Sequence, residues 1–174
     1  MIVTDLPKGT TLYRAHTPRW ADRPMGGAGA ALKGGRFNRE GVEALYLSLE
    51  VLTALREYQQ TSPFLPPCTI CSYMAALRDL VDLRQLDRGN WDELWGDWRE
   101  DWRYWKFEQH IEPPTWVLSD LVRDVGYTGI IFPSQAHAGG TNVVVFIDRL
   151  ANGNSIEVND PNEKLPRNQS SWPR

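Results

Sequence analysis

Short runs able to form strands follow one another in this chain without regular strand–helix alternation, and that order argues an α+β fold. ALYLS (44–48), TICSYMAAL (69–77), TGIIFPS (128–134) and TNVVVFID (141–148) are short and apolar, and the last is strongly β-branched. TTLYRAH (10–16) reads as a first short strand, and LVDL (80–83) extends or follows the third. SLEVLTALREYQQ (48–60) reads as a helix with Ser48 as N-cap and Val51, Leu52, Leu55 and Tyr58 at helical spacing. EPPTWVLSDLVRDVG (112–126) reads as another, with proline at its start and Gly126 past its end.

The 174 residues suit a single domain with a real core, and no internal repeat divides them. A net charge of −3 leaves no broad basic field for nucleic acid. No basic-then-apolar leader is visible, nor an apolar run near the ~18 residues of a membrane helix, so a soluble cytoplasmic protein is expected. From 151 to 174 the chain is polar, with SIEV (155–158) as a last strand before a loose tail. Cys68 and Cys71 form one C-x-x-C without a second pair, and the three histidines are scattered. They read as reduced structural thiols, with no metal site.

In NWDELWGDWREDWRYW (90–105), Trp91, Trp95, Trp98, Trp102 and Trp105 step by four and three, one stripe of a helix. Five indoles on one face read first as core or partner packing and second as a ligand surface. Asp92, Glu93, Asp97, Arg99, Glu100 and Asp101 form the solvated face.

Residues 17–35 read as an aperiodic loop beside a site. GAGAALKGG lacks the Gly-Lys-Ser/Thr ending of a phosphate-binding P-loop, and no clear helix follows it. The next residues, KGGRFNREG (33–41), place Arg36 behind two glycines and before Phe37 and Asn38, as a loop holding an anion would.

A dinucleotide needs arginines for its pyrophosphate and an aromatic face for its nicotinamide. Cleaving its nicotinamide–ribose bond needs a carboxylate against oxocarbenium-like charge. Arg14, Arg36, Tyr46, Glu57 or Glu50, and Ser134 with Asn142 supply these types. Each also has an ordinary reading: surface arginines, a core tyrosine, solvated acids on the polar side of the 48–60 helix, and a strand end at Ser134.

The ordered set LYR, GGRFN, ALYLS with an acid eleven residues after the tyrosine, FPS and GGTNVVVF resembles the RES-domain family across residues 10–148. The family comprises toxins of RES–Xre toxin–antitoxin systems. The resemblance implies a single ADP-ribosyltransferase-like domain, a mixed β core with flanking helices over 1–150, in which 88–112 is a Trp-rich helical insertion. It implies an enzyme that degrades NAD+ as substrate, by phosphorolysis or hydrolysis, with an Xre-type antitoxin as partner. Under it Arg36 and Arg14 face the dinucleotide phosphates and Tyr46 the nicotinamide side. Glu57 is the acid, Ser134 the serine, and Asn142 the asparagine opening the last core strand. Phe37 stands where the family often has Trp, and the Trp-rich segment is longer than the family core.

The expected function is therefore an NAD+ phosphorylase or glycohydrolase, with phosphate or water as acceptor. The alternatives are an ADP-ribosyltransferase with a macromolecular acceptor, a non-catalytic module binding through the Trp helix, and a C-x-x-C thiol oxidoreductase. The Trp stripe leaves a homodimer open.

Overall fold

In the computed structural model of the chain, which describes residues 1–151 and 153–171, one sheet curls until it meets itself. The strands are β1 (Val3–His16), β2 (Ala44–Ser48), β3 (Thr69–Asp82), β4 (Gly129–Pro133), β5 (Thr141–Phe146) and β6 (Ser155–Val158). Their order is β1-β2-β5-β4-β3, and β3 returns to pair with β1. The β1–β3 pairing is antiparallel, with Val3 opposite Val81 and His16 opposite Thr69. The other edge of β3 takes β6 at Tyr73–Ala76 and β4, running parallel, at Leu80–Asp82. The result is a mixed α/β domain built on a closed, barrel-like sheet.

The β-branched run of β5 explains where the core lies. Val143 and Val145 point into a cluster drawn from all six strands, the barrel interior. Val144 and Phe146 point the other way, onto Leu118, Val122, Trp95 and Trp98. A strand buried on both faces reads as continuously apolar. α1 (Ala28–Lys33), α2 (Val51–Gln59) and α3 (Pro114–Val125) complete the fold. α3 ends at Gly126 in the left-handed conformation, as its sequence predicts.

Several expectations change. Residues 28–33 of the expected loop are helical. α2 begins at Val51, after Glu50, while Ser48 is the buried last residue of β2. Its apolar stripe is not the buried face: Val51 and Leu52 are 40% and 49% exposed, Leu55 and Tyr58 are half-buried, and Thr53 and Ala54 are the buried residues. Periodicity fails here because the helix packs a polar face against a polar site.

The Trp-rich segment is not one helix. A 3-10 stretch at Glu93–Arg99 breaks at Glu100, and a separate short helical turn covers Tyr104–Glu108. Asp101 makes the second start, accepting the Arg103 amide at 3.0 Å. Trp95 and Trp98 are core residues, as the packing reading expects, and the acidic face is exposed. In the expected tail, Asp160 accepts the Lys164 and Leu165 amides, and Leu165 packs on the barrel core. Asn152 and residues 172–174 of that tail lie outside the described residues.

Both cysteines are free thiols, Cys71 buried on β3. Among the described residues, no group of three His, Cys, Asp or Glu could hold a metal, and no helix is long and apolar enough to cross a membrane.

Candidate active site

A cleft of about 960 Å³ opens beside β1, β2, β5 and α2. It has the size of a small-molecule site. Arg14 of β1, Arg36, Tyr46 of β2, Glu57 of α2 and Asn142 of β5 all line it. Ser134 does not line it but reaches Glu57 from behind. Glu50 also stays outside the wall, accepting from Thr53 Oγ1 at 2.6 Å and the Thr141 amide at 3.0 Å.

The acid is held by a directed chain of donors. Glu57 Oε1 accepts from Ser134 Oγ at 2.7 Å and from Asn142 Nδ2 at 2.6 Å. Ser134 Oγ itself accepts the Ala136 and His137 amides at 3.2 and 3.0 Å, so its proton is free to point at Glu57. Asn142 Oδ1 accepts from buried Ser48 Oγ at 2.8 Å, which fixes its amide nitrogen toward the acid. Among the described residues, Glu57 Oε2 takes no protein hydrogen bond, so one carboxylate oxygen stays available.

The Arg36 turn is clamped at both flanking peptides. The Gly35 amide bonds the Asn38 carbonyl at 3.0 Å, closing the turn. Trp116 Nε1 donates to the Gly35 carbonyl at 2.7 Å, and the Phe37 amide donates to Tyr46 Oη at 2.8 Å. Tyr46 Oη in turn donates to Asn38 Oδ1 at 2.8 Å, and Asn38 Nδ2 reaches the carbonyls of Ala30, Arg39 and Val42. Phe37 is fully buried against Phe132, ring centres 4.9 Å apart. The two glycines ahead of Arg36 make room for aromatic rings. A Cβ on Gly34 would lie 2.6 Å from the Trp116 ring, and one on Gly35 2.6 Å from Tyr46 Oη. Gly34 also holds φ +75°, which favours glycine.

Arg36 donates through Nη1 to the Trp98 and Glu100 carbonyls, each at 2.9 Å, and through Nη2 to Gln135 Oε1 at 2.5 Å. Arg14 donates to the carbonyl of Gly26 at 3.1 Å. Among the described residues neither arginine has a carboxylate ion pair. Burial, and then Arg103, push the Arg36 guanidinium below its ordinary value, and burial does the same to Arg14. An anion in the cleft would reverse both pushes. Tyr46 moves up, chiefly through burial, so its phenol keeps its proton.

The model of the RES domain matches residues 11–168. The chain belongs to the RES-domain family. A chain in the crystal structure of the M. tuberculosis MbcT–MbcA toxin–antitoxin complex shares the fold at 19% identity. Its TM-score is 0.60, over 90% of this chain and 84% of that one. No curated protein matches.

Sequence reasoning missed several parts of this RES-domain cleft. Ser48 was expected to cap a helix, and it orients Asn142 instead. Trp102 and Arg103 line the wall, in a segment read first as packing and only second as a ligand surface. Gln135 directly follows FPS, but a lone glutamine carries no chemical signature in a sequence.

Proposed function

We propose that this RES domain is an NAD+-degrading enzyme of the toxin type that breaks the nicotinamide–ribose bond, with phosphate or water as acceptor. One observation carries the reading. A carboxylate with an unbonded oxygen, Glu57, shares a cleft with two guanidiniums that lack carboxylate partners among the described residues. Arg36 and Arg14 bind the pyrophosphate, matching planar forks to phosphate oxygens. Glu57 Oε2 faces the anomeric carbon and stabilises the positive charge that develops as nicotinamide leaves. Ser134 and Asn142 aim the acid by holding its other oxygen. Tyr46 bounds the nicotinamide side and keeps the Arg36 turn in shape. Family membership and the similar fold of a chain from a toxin–antitoxin complex support the toxin reading and an antitoxin-type protein partner.

The test is NAD+ loss by purified protein with and without phosphate, with products identified by mass. Nicotinamide with a phosphorylated ADP-ribose identifies a phosphorylase, and nicotinamide with ADP-ribose a hydrolase. No loss from folded, partner-free protein refutes the reading.

A further inference from the structure

Three consecutive carbonyls of the Trp-rich segment are captured by two side chains of the cleft. Arg36 Nη1 takes those of Trp98 and Glu100, and Gln135 Nε2 takes that of Arg99 between them, at 2.9 Å. Gln135 Oε1 closes the ring by accepting from Arg36 Nη2 at 2.5 Å. Gln135 is thus bonded on one side to the arginine and on the other to the turn.

These bonds matter because the segment has few others. Among the described residues, its other backbone hydrogen bonds over 92–111 stay within the segment, such as Glu100 to Asp97 and Ile111 to Trp105. Its contact with the barrel is otherwise made by side chains: Trp95 and Trp98 in the core, and Lys106 paired with Glu40 at 2.7 Å. Yet the segment contributes Arg99, Asp101, Trp102 and Arg103 to the cleft wall. Arg36 and Gln135 supply the hydrogen bonds that tie the backbone of that wall to the rest of the domain.

The ring also sets what Arg36 can offer. Of five guanidinium N–H groups, two go to carbonyls and one to Gln135. Nε–H and one Nη2–H remain, the number that a bidentate phosphate contact uses.

We propose that Gln135 is a positioning residue. It locks Arg36 in the orientation that leaves those two donors for a substrate phosphate, and it latches the 98–103 turn as the wall of the same cleft. Its effect on catalysis rests on the proposed function. Its effect on the turn does not.

The experiment compares wild type with Gln135→Ala and the near-isosteric Gln135→Met. In both variants KM for NAD+ and Kd for ADP-ribose rise about tenfold, the loss of a hydrogen bond to a charged group, while kcat stays within about threefold. Amide hydrogen exchange across 98–103 accelerates, with β5 unchanged. Unchanged Kd and unchanged exchange overturn the proposal, as does a fall in kcat at constant KM. Should wild type consume no NAD+, the function fails on its own, and exchange across 98–103 alone decides the latch.

Discussion

Glu57 and Asn142 meet at 2.6 Å, the acid arriving from α2 and the amide from the second residue of β5. The contact engages Oε1 and, among the described residues, leaves Oε2 of this cleft-lining acid without a protein hydrogen bond. Glu57→Gln preserves an oxygen that can face Asn142 and removes only the charge. In that variant kcat falls about 10²- to 10³-fold, the scale of a lost transition-state electrostatic contact, with NAD+ affinity within about threefold. Single-turnover kinetics beside equilibrium binding measure the two separately. Equal losses would remove the acid from its role.

Ser134 and Asn142 donate to the same oxygen, so their effects cannot be independent. Ser134→Ala and Asn142→Ala each lower kcat about tenfold, and the double variant loses clearly less than the product of the two. A multiplicative loss in the double-mutant cycle would mean that the donors act on different atoms.

Tyr46→Phe keeps the ring and deletes the hydroxyl that joins Phe37 to Asn38. The Phe37 amide and Asn38 Oδ1 lose that partner, a cost of about 1–3 kcal/mol in urea denaturation. KM for NAD+ rises as the Arg36 turn loosens. Since burial holds the phenol protonated, wild-type activity shows no alkaline limb from Tyr46 up to pH 10. A rate unchanged in the variant would confine Tyr46 to packing.

His16, the last residue of β1, is buried, its Nε2 2.8 Å from Tyr73 Oη, which donates to the Pro24 carbonyl. Burial, then Arg14, lower its pKa from 6.5 to about 4. Between those values the unfolded chain binds more protons than the folded one, so stability falls as pH drops from 6.5 toward 4 and is fully present above 6.5. Melting curves of wild type and His16→Asn across that range should converge at the acid end. Curves that stay parallel would show that His16 titrates normally.

How far the sequence could be read depended on where each signal came from. The β-branched runs became β4 and β5, because a strand buried on both faces shows its burial in composition. The GGRFN turn was also legible as a loop presenting Arg36, since two glycines before an arginine carry that signal in residue type. Glu57 was legible through the family resemblance alone: helical periodicity put it in solvent, because the face of α2 that turns inward is not its apolar one. The break at Glu100–Asp101 was hidden for a related reason. Tryptophans at steps of three and four satisfy a helix, yet Trp95 and Trp98 on the 3-10 stretch and Trp102 ahead of the later turn are buried without one continuous helix. Gln135 and Ser48 act only through what the fold brings to them.

The chain order of the cleft has a consequence for synthesis. Arg14, Arg36, Tyr46 and Glu57 are all translated before β3, whereas Ser134 and Asn142 come with β4 and β5. β5 must then insert between β2 and β4 before the ring of strands can close. Such non-local pairing forms slowly, after the partners have left the ribosome. A growing polypeptide therefore carries its acid and its arginines unaimed through most of its translation. The lining residues of the cleft come together only once β5 has been made and inserted.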